Sequence, residues 1–151
     1  MFPRLLALLT ILAVLAQPAE AARKKKKPSK PAGPPVYERI GGQAAVEKFS
    51  GLFLKRVLAD TRINGYFKGV DPEDLAPKVV DFVCMALGGP CKYKGRSMKE
   101  THKGMYVTNA AFDAFLEDAL FTLRELSVPA KETGEIAKAL NGLRKTVVEL
   151  K

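Results

Sequence analysis

Tryptophan is absent from this 151-residue chain, histidine occurs once and cysteine twice. Each scarcity removes a class of chemistry. A zinc site needs several ligands at characteristic spacing, and His102 with Cys84 and Cys91 lacks an obvious fourth partner. No serine sits in a nucleophile motif of the kind a Ser-His-Asp hydrolase requires. Period-two alternation of apolar and polar residues does not persist anywhere, which argues against a sheet. The apolar run at residues 5–16 is 12 long, well short of the roughly 20 residues that span a bilayer.

That run is instead the middle of a leader. Residues 1–4 supply one positive charge, Gln17 and Pro18 interrupt the apolar stretch, and Ala19-Glu20-Ala21 fits a small-x-small cleavage site. The order is that of a secretory signal peptide over residues 1–21, so the mature protein is expected outside the cytoplasm. Residues 22–35 follow as a Lys/Pro-rich linker. Arg23, Lys24, Lys25, Lys26, Lys27 and Lys30 stand there without an acid, giving +6 of the chain's +9. Such a stretch is solvated and extended. It is either a plain flexible leader or a weak tether of residues 23–30 to an anionic membrane or polyanion, at roughly 1 kcal/mol per cation close to such a surface. Residues 36–151 carry 18 Lys or Arg against 15 Asp or Glu. That near balance gives no basic surface for nucleic acid, and none is expected as a partner.

From residue 36 on, the spacing is helical. Val46, Phe49, Phe53 and Val57 recur at three and four residues and make one stripe. Asp71-Pro72-Glu73-Asp74 opens a helix, with Asp71 as cap, Pro72 at the first helical position and acids at the positive end. Leu75, Val79, Phe82, Val83 and Ala86 continue it until Gly88-Gly89-Pro90. A short helix is expected at residues 98–103 around His102. Asn109 is the expected cap of the next, whose apolar face holds Phe112, Phe115, Leu116, Ala119, Leu120, Leu123 and Leu126. Pro129 opens a last helix with Ile136, Leu140, Leu143, Val147 and Leu150 on one side. Four substantial helices with short connectors make a small all-α domain.

The anchors along this domain resemble one family in order and spacing. Tyr37-Glu38-Arg39-Ile40-Gly41-Gly42, Arg56-Val57-Leu58-Ala59-Asp60, Tyr66-Phe67, Ala86-Leu87-Gly88-Gly89-Pro90, Tyr93-Lys94-Gly95-Arg96 and Met98-Lys99-Glu100-Thr101-His102-Lys103-Gly104-Met105 are followed by Val107-Thr108 and Phe112. The chain is similar to group I truncated haemoglobins of the bacterial type. It follows their pattern from Tyr37 to Phe112 without a gap, and the resemblance covers residues 36–151. It implies a two-over-two helical sandwich around haem b. His102 matches the proximal ligand to the iron and Phe67 the phenylalanine packed on the haem face. Phe53, Leu75, Val79, Phe82, Met98, Val107, Phe112 and Leu116 match or neighbour haem-lining positions, Val147 joins them from the last helix, and Arg96 and Lys99 lie where a propionate is paired. A lone histidine suffices for one axial bond and excludes bis-histidine ligation within the chain. Cys-x-x-Cys-His, needed for covalent c-type haem, is absent.

On the opposite side the chain departs from the pattern. Many group I members carry a Tyr and one or two Gln that donate hydrogen bonds to dioxygen, and the aligned residues here are Leu54, Leu75 and Val79. A distal hydrogen bond is worth roughly 1–3 kcal/mol in a dry pocket, so its loss means roughly 5- to 150-fold weaker dioxygen retention, with CO and NO less affected. Tyr66, Lys78 or a water is the alternative donor. The implied function is reversible binding of dioxygen or another diatomic gas at pentacoordinate iron, with a reductase as a further partner. NO dioxygenase or peroxidase-like turnover are extensions of the same chemistry, against which an apolar pocket without an acid or base weighs. The contrasting reading is a haem-free or haem-scavenging helical module docked by its basic tail. Family and leader together point to a bacterial periplasm. There Cys84 and Cys91, brought near each other by the Gly-Gly-Pro turn, are expected to form a disulfide; the alternative is two unbonded thiols.

Overall fold

The computed structural model describes residues 33–150; the leader and residues 22–32 of the linker lie outside them. Seven α-helices occur among the described residues: α1 Val36–Arg39, α2 Gly42–Ala59, α3 Pro72–Ala86, α4 Met98–His102, α5 Asn109–Glu125, α6 Ala130–Gly142 and α7 Arg144–Val147. A 3₁₀ turn at Asn64–Phe67 links α2 to α3. Helix α2 packs on α3, α5 packs on α6, and α2 crosses α5, which gives two helical pairs laid on each other.

The α2 stripe expected from sequence is the centre of the core: Val46, Phe49, Phe53 and Val57 are buried with Ile63, Val83, Phe112, Ala119, Leu123 and Ile136. Phe49 stacks on Phe53, and Phe115 meets Phe53 edge-on, the geometry that aromatic quadrupoles favour. The caps follow from residue chemistry. Asp71 accepts from the Glu73 N–H, with Pro72 at the first position. Pro77 sits inside α3. It removes one backbone donor, which leaves the Glu73 carbonyl to solvent on an exposed face.

Two glycine pairs shape the turns. Gly41 and Gly42 take left-handed backbone between α1 and α2. Gly89 has a steric reason: a Cβ there would lie 2.6 Å from the Tyr37 ring and 2.7 Å from Cys84 Sγ. The close approach lets the Gly89 N–H reach the Cys84 carbonyl at 2.8 Å and the Tyr37 N–H reach that of Leu87 at 3.0 Å, tying α1 to the end of α3.

Two expectations need correction. Thr108, not Asn109, caps α5, its side chain accepting from the Ala111 N–H. Both residue types cap well; Asn109 instead accepts from Arg144 at 3.0 Å. The last helix does not run on to Leu150. It ends at Gly142, resumes as the four-residue α7, and gives way to an extended tail in which Leu150 bridges Thr108. The tail bonds to another part of the chain, which helical periodicity cannot register.

Candidate functional site

His102 is the last residue of α4, and α4 is held from its start. Ser97 and Glu100 form a reciprocal capping box: Ser97 Oγ accepts from the Glu100 N–H at 3.2 Å, and Glu100 Oε2 accepts from the Ser97 N–H and Oγ–H at 3.1 and 2.6 Å. These bonds, the hydroxyl first, hold the Glu100 carboxyl below the usual carboxylate range. The His102 ring is half-buried, and its Nδ1 lies 2.7 Å from the Met98 carbonyl oxygen. A carbonyl only accepts, so Nδ1 is the donor in this contact, and in the neutral ring that tautomer places the lone pair on Nε2. Among the described residues no three His, Cys, Asp or Glu side chains gather as a metal-binding cluster.

The other sequence-predicted residues fall into two groups. Phe53, Leu54, Val107 and Phe112 are buried. Phe67, Val79, Met98 and Leu116 are half-buried and packed against the core. Leu75 and Phe82 are half-buried on α3, with Phe82 edge-on to Tyr93. Leu75, Val79 and Phe82 follow one another at four- and three-residue spacing, so they share one face of α3. That helix packs on α2, and its Leu75–Phe82 face is half-buried. A small apolar cleft lies between α3 and α6; Phe82 lines it with Val83, Ile136 and Leu140, whereas His102, Phe67, Leu75 and Val79 do not. Lys78 is exposed and Tyr66 half-buried.

Cys84 and Cys91 are disulfide-bonded, with Cα atoms 5.8 Å apart. The bond joins the last turn of α3 to the loop that leads to α4. Arg96 and Lys99 are exposed on that loop and on α4.

Sequence reasoning missed two polar features. Asp118 is buried on α5 and its Oδ2 has no hydrogen-bond partner. Burial first, then the neighbouring Asp60 charge, pushes its carboxyl up, while hydrogen bonds from Arg62 hold Asp60 down. The signal was available: Asp118 stands four residues from both Ala114 and Thr122, on the buried face. The second feature is Glu149, whose carboxylate accepts from the Gly104 and Tyr106 N–H groups at 2.8 and 2.7 Å. These two bonds, Gly104 first, lower its pKa. Nothing local in the sequence marks it.

Haem fits the residues present. One imidazole has its Nδ1 committed to a carbonyl, and apolar side chains on α3, α4 and α5 and in the 3₁₀ turn keep part of their surface uncovered. A flat apolar group with a metal at its centre satisfies both.

Comparison with known proteins agrees. Residues 35–149 match the family model described as "Bacterial-like globin". The group 1 truncated haemoglobin of Tetrahymena thermophila is 47% identical over 112 residues, 74% of this chain and 93% of that protein. That of Synechocystis is 39% identical over 106 residues, 68% of this chain and 86% of the relative. The crystal structure of the Tetrahymena pyriformis truncated haemoglobin in its Fe(III) form superposes with a TM-score of 0.74 at 41% identity, covering 76% of this chain and 98% of that one. The Synechococcus 2/2 haemoglobin, solved in the cyanomet state with covalently attached haem, gives 0.69 at 32% identity, covering 75% and 95%. The chain belongs to the group 1 truncated haemoglobins, a family of haem-based gas-binding proteins.

Proposed function

We propose that this protein binds haem b through His102 and uses it for reversible binding of a diatomic gas in a distal pocket without hydrogen-bond donors. The observation that carries the reading is the His102 geometry, in which Nδ1–H is committed to the Met98 carbonyl and Nε2 is left to a metal. This is the arrangement by which a second bond fixes a ligating histidine's tautomer and orientation. When bound, haem supplies an iron that takes one protein ligand and one exogenous gas.

The chain's own residues do the rest. Phe67, Val79, Phe82, Met98, Val107, Phe112 and Leu116 cover the apolar faces and keep water out. Arg96 and Lys99 offer charge to the propionates. Leu54, Leu75 and Val79 present only carbon to the gas, so dioxygen is held weakly and CO and NO are less affected. Turnover that needs a distal acid, base or donor is disfavoured for the same reason. The two-cysteine bond and the leader support export to an oxidising compartment such as the bacterial periplasm. There residues 23–30 would add weak contact with anionic membrane, and a reductase would keep the iron ferrous.

Supplying haem to the mature protein and recording its absorption tests the reading. A Soret band in the wild type that is lost or strongly weakened in His102→Ala is expected. A folded helical wild type without the band overturns it in favour of a haem-free module.

A further inference from the structure

The chain that follows His102 passes through two left-handed residues, Gly104 at φ 81° and Tyr106 at φ 54°. Glycine takes that conformation freely; Tyr106 does not, and its side chain is exposed. Something outside the turn must hold it. The partner is the C-terminal segment, 43 to 45 residues away. Glu149 Oε1 accepts from the Gly104 N–H and Oε2 from the Tyr106 N–H. In the opposite sense, the N–H groups of Glu149 and Leu150 donate to the Val107 carbonyl at 2.9 and 3.1 Å. Helix α7 packs against α4 beside this junction.

We propose that Glu149 is a positioning residue for His102, through a clamp that fixes the backbone on the downstream side of the imidazole. This rests on the haem reading above. Upstream, the capping box fixes the start of α4, and the Met98 carbonyl orients the ring. Downstream, the His102 carbonyl accepts from the Met105 N–H at 3.1 Å, and Met105 lies between the two residues whose N–H groups Glu149 holds. The direction of Nε2 is thereby set by bonds on both sides. With Glu149 gone, the turn keeps its strained residue and loses the acceptor that holds it, and the imidazole gains freedom to tilt. A carboxylate suits the task because its two oxygens serve two diverging N–H groups at once.

Three variants of the full chain decide the matter: Glu149→Ala, Glu149→Gln and the control Arg144→Ala. The last breaks the α7 bonds to Asn109 and Asp113 but touches neither Gly104 nor Tyr106. Without haem, amide exchange at Gly104 and Tyr106 is expected to rise about tenfold or more in Glu149→Ala. With haem, the iron–histidine stretching band is expected to move and haem loss to accelerate about tenfold, the low end for loss of an outer-shell partner. Glu149→Gln, which keeps one acceptor oxygen, is expected in between, and Arg144→Ala should leave the band in place. Unchanged exchange, or an equal band shift in Arg144→Ala, overturns the positioning role while the haem reading stands. A wild-type chain that takes up no haem overturns the haem reading, and with it any role for Glu149 in placing an iron ligand.

Discussion

On the His102 side, hydrogen bonds hold the backbone at each step, from Ser97 and Glu100 through the Met98 carbonyl to Glu149. On the α2–α3 side, Leu54, Leu75 and Val79 contribute carbon only, and the α3 face is partly open. A metal ligand must point, so its surroundings are directional and polar. A gas pocket that is only to admit a small neutral molecule has no such requirement. Under the function proposed above, the same contrast would let the chain keep the haemoglobin framework without the donors of a tight dioxygen carrier.

Cutting the covalent tie between the two sides should have the largest effect. The Cys84–Cys91 bond closes a short loop, and the chain-entropy account gives about 2–3 kcal/mol for it. Cys84→Ala with Cys91→Ser should lower stability by about that amount in urea denaturation. CO rebinding after photolysis should also change if α3 and the loop before α4 move as one body. Equal stability in variant and wild type would mean that the two sides are joined by packing alone.

Adding a donor to the apolar side sharpens the contrast next. Leu54→Tyr or Leu75→Gln should slow dioxygen release by roughly 5- to 150-fold, the kinetic equivalent of about 1–3 kcal/mol. CO release should change far less. Stopped-flow measurement of both gases separates the two cases. A dioxygen off-rate that is already slow in the wild type would show that Tyr66, Lys78 or water supplies the missing bond.

How much of this was readable beforehand depends on range. The α2 stripe, the Asp71-Pro72 start and the Gly88-Gly89-Pro90 stop are local patterns, and each appears where the spacing puts it. The His102 segment and the cysteine pairing were legible through short-range chemistry and family anchors. The α5 cap was displaced by one residue because Thr108 and Asn109 are both competent and only Arg144, 35 residues on, takes the Asn109 side chain. The break after Gly142 was legible only as a glycine that weakens a helix, and the part played by Glu149 was not legible at all. Glu149 belongs to a tail that bonds to residues 104–108, and periodicity carries no information about a partner more than 40 residues away. Asp118 lay between: its place on the buried face could be counted, but the lack of a partner for Oδ2 appears only in three dimensions.

The smallest effect is expected at the start of α4. Ser97→Ala removes the cap and should cost about 1 kcal/mol, as N-cap truncations do. The pH dependence tells whether the reciprocal half of the box matters. Glu100 is held below its ordinary carboxyl value in the folded protein. Its contribution is therefore fully present above the ordinary carboxylate range and is lost as pH falls through the folded value. The stability gap between wild type and Ser97→Ala should be widest near neutrality and narrow in acid. The measurement is thermal unfolding of the two proteins from pH 7 down to pH 3. A gap that stays constant over that interval would mean that the Ser97 hydroxyl alone caps α4, leaving the Glu100 carboxylate as a solvated neighbour. The His102 side would then owe its polar order to the Met98 carbonyl and Glu149.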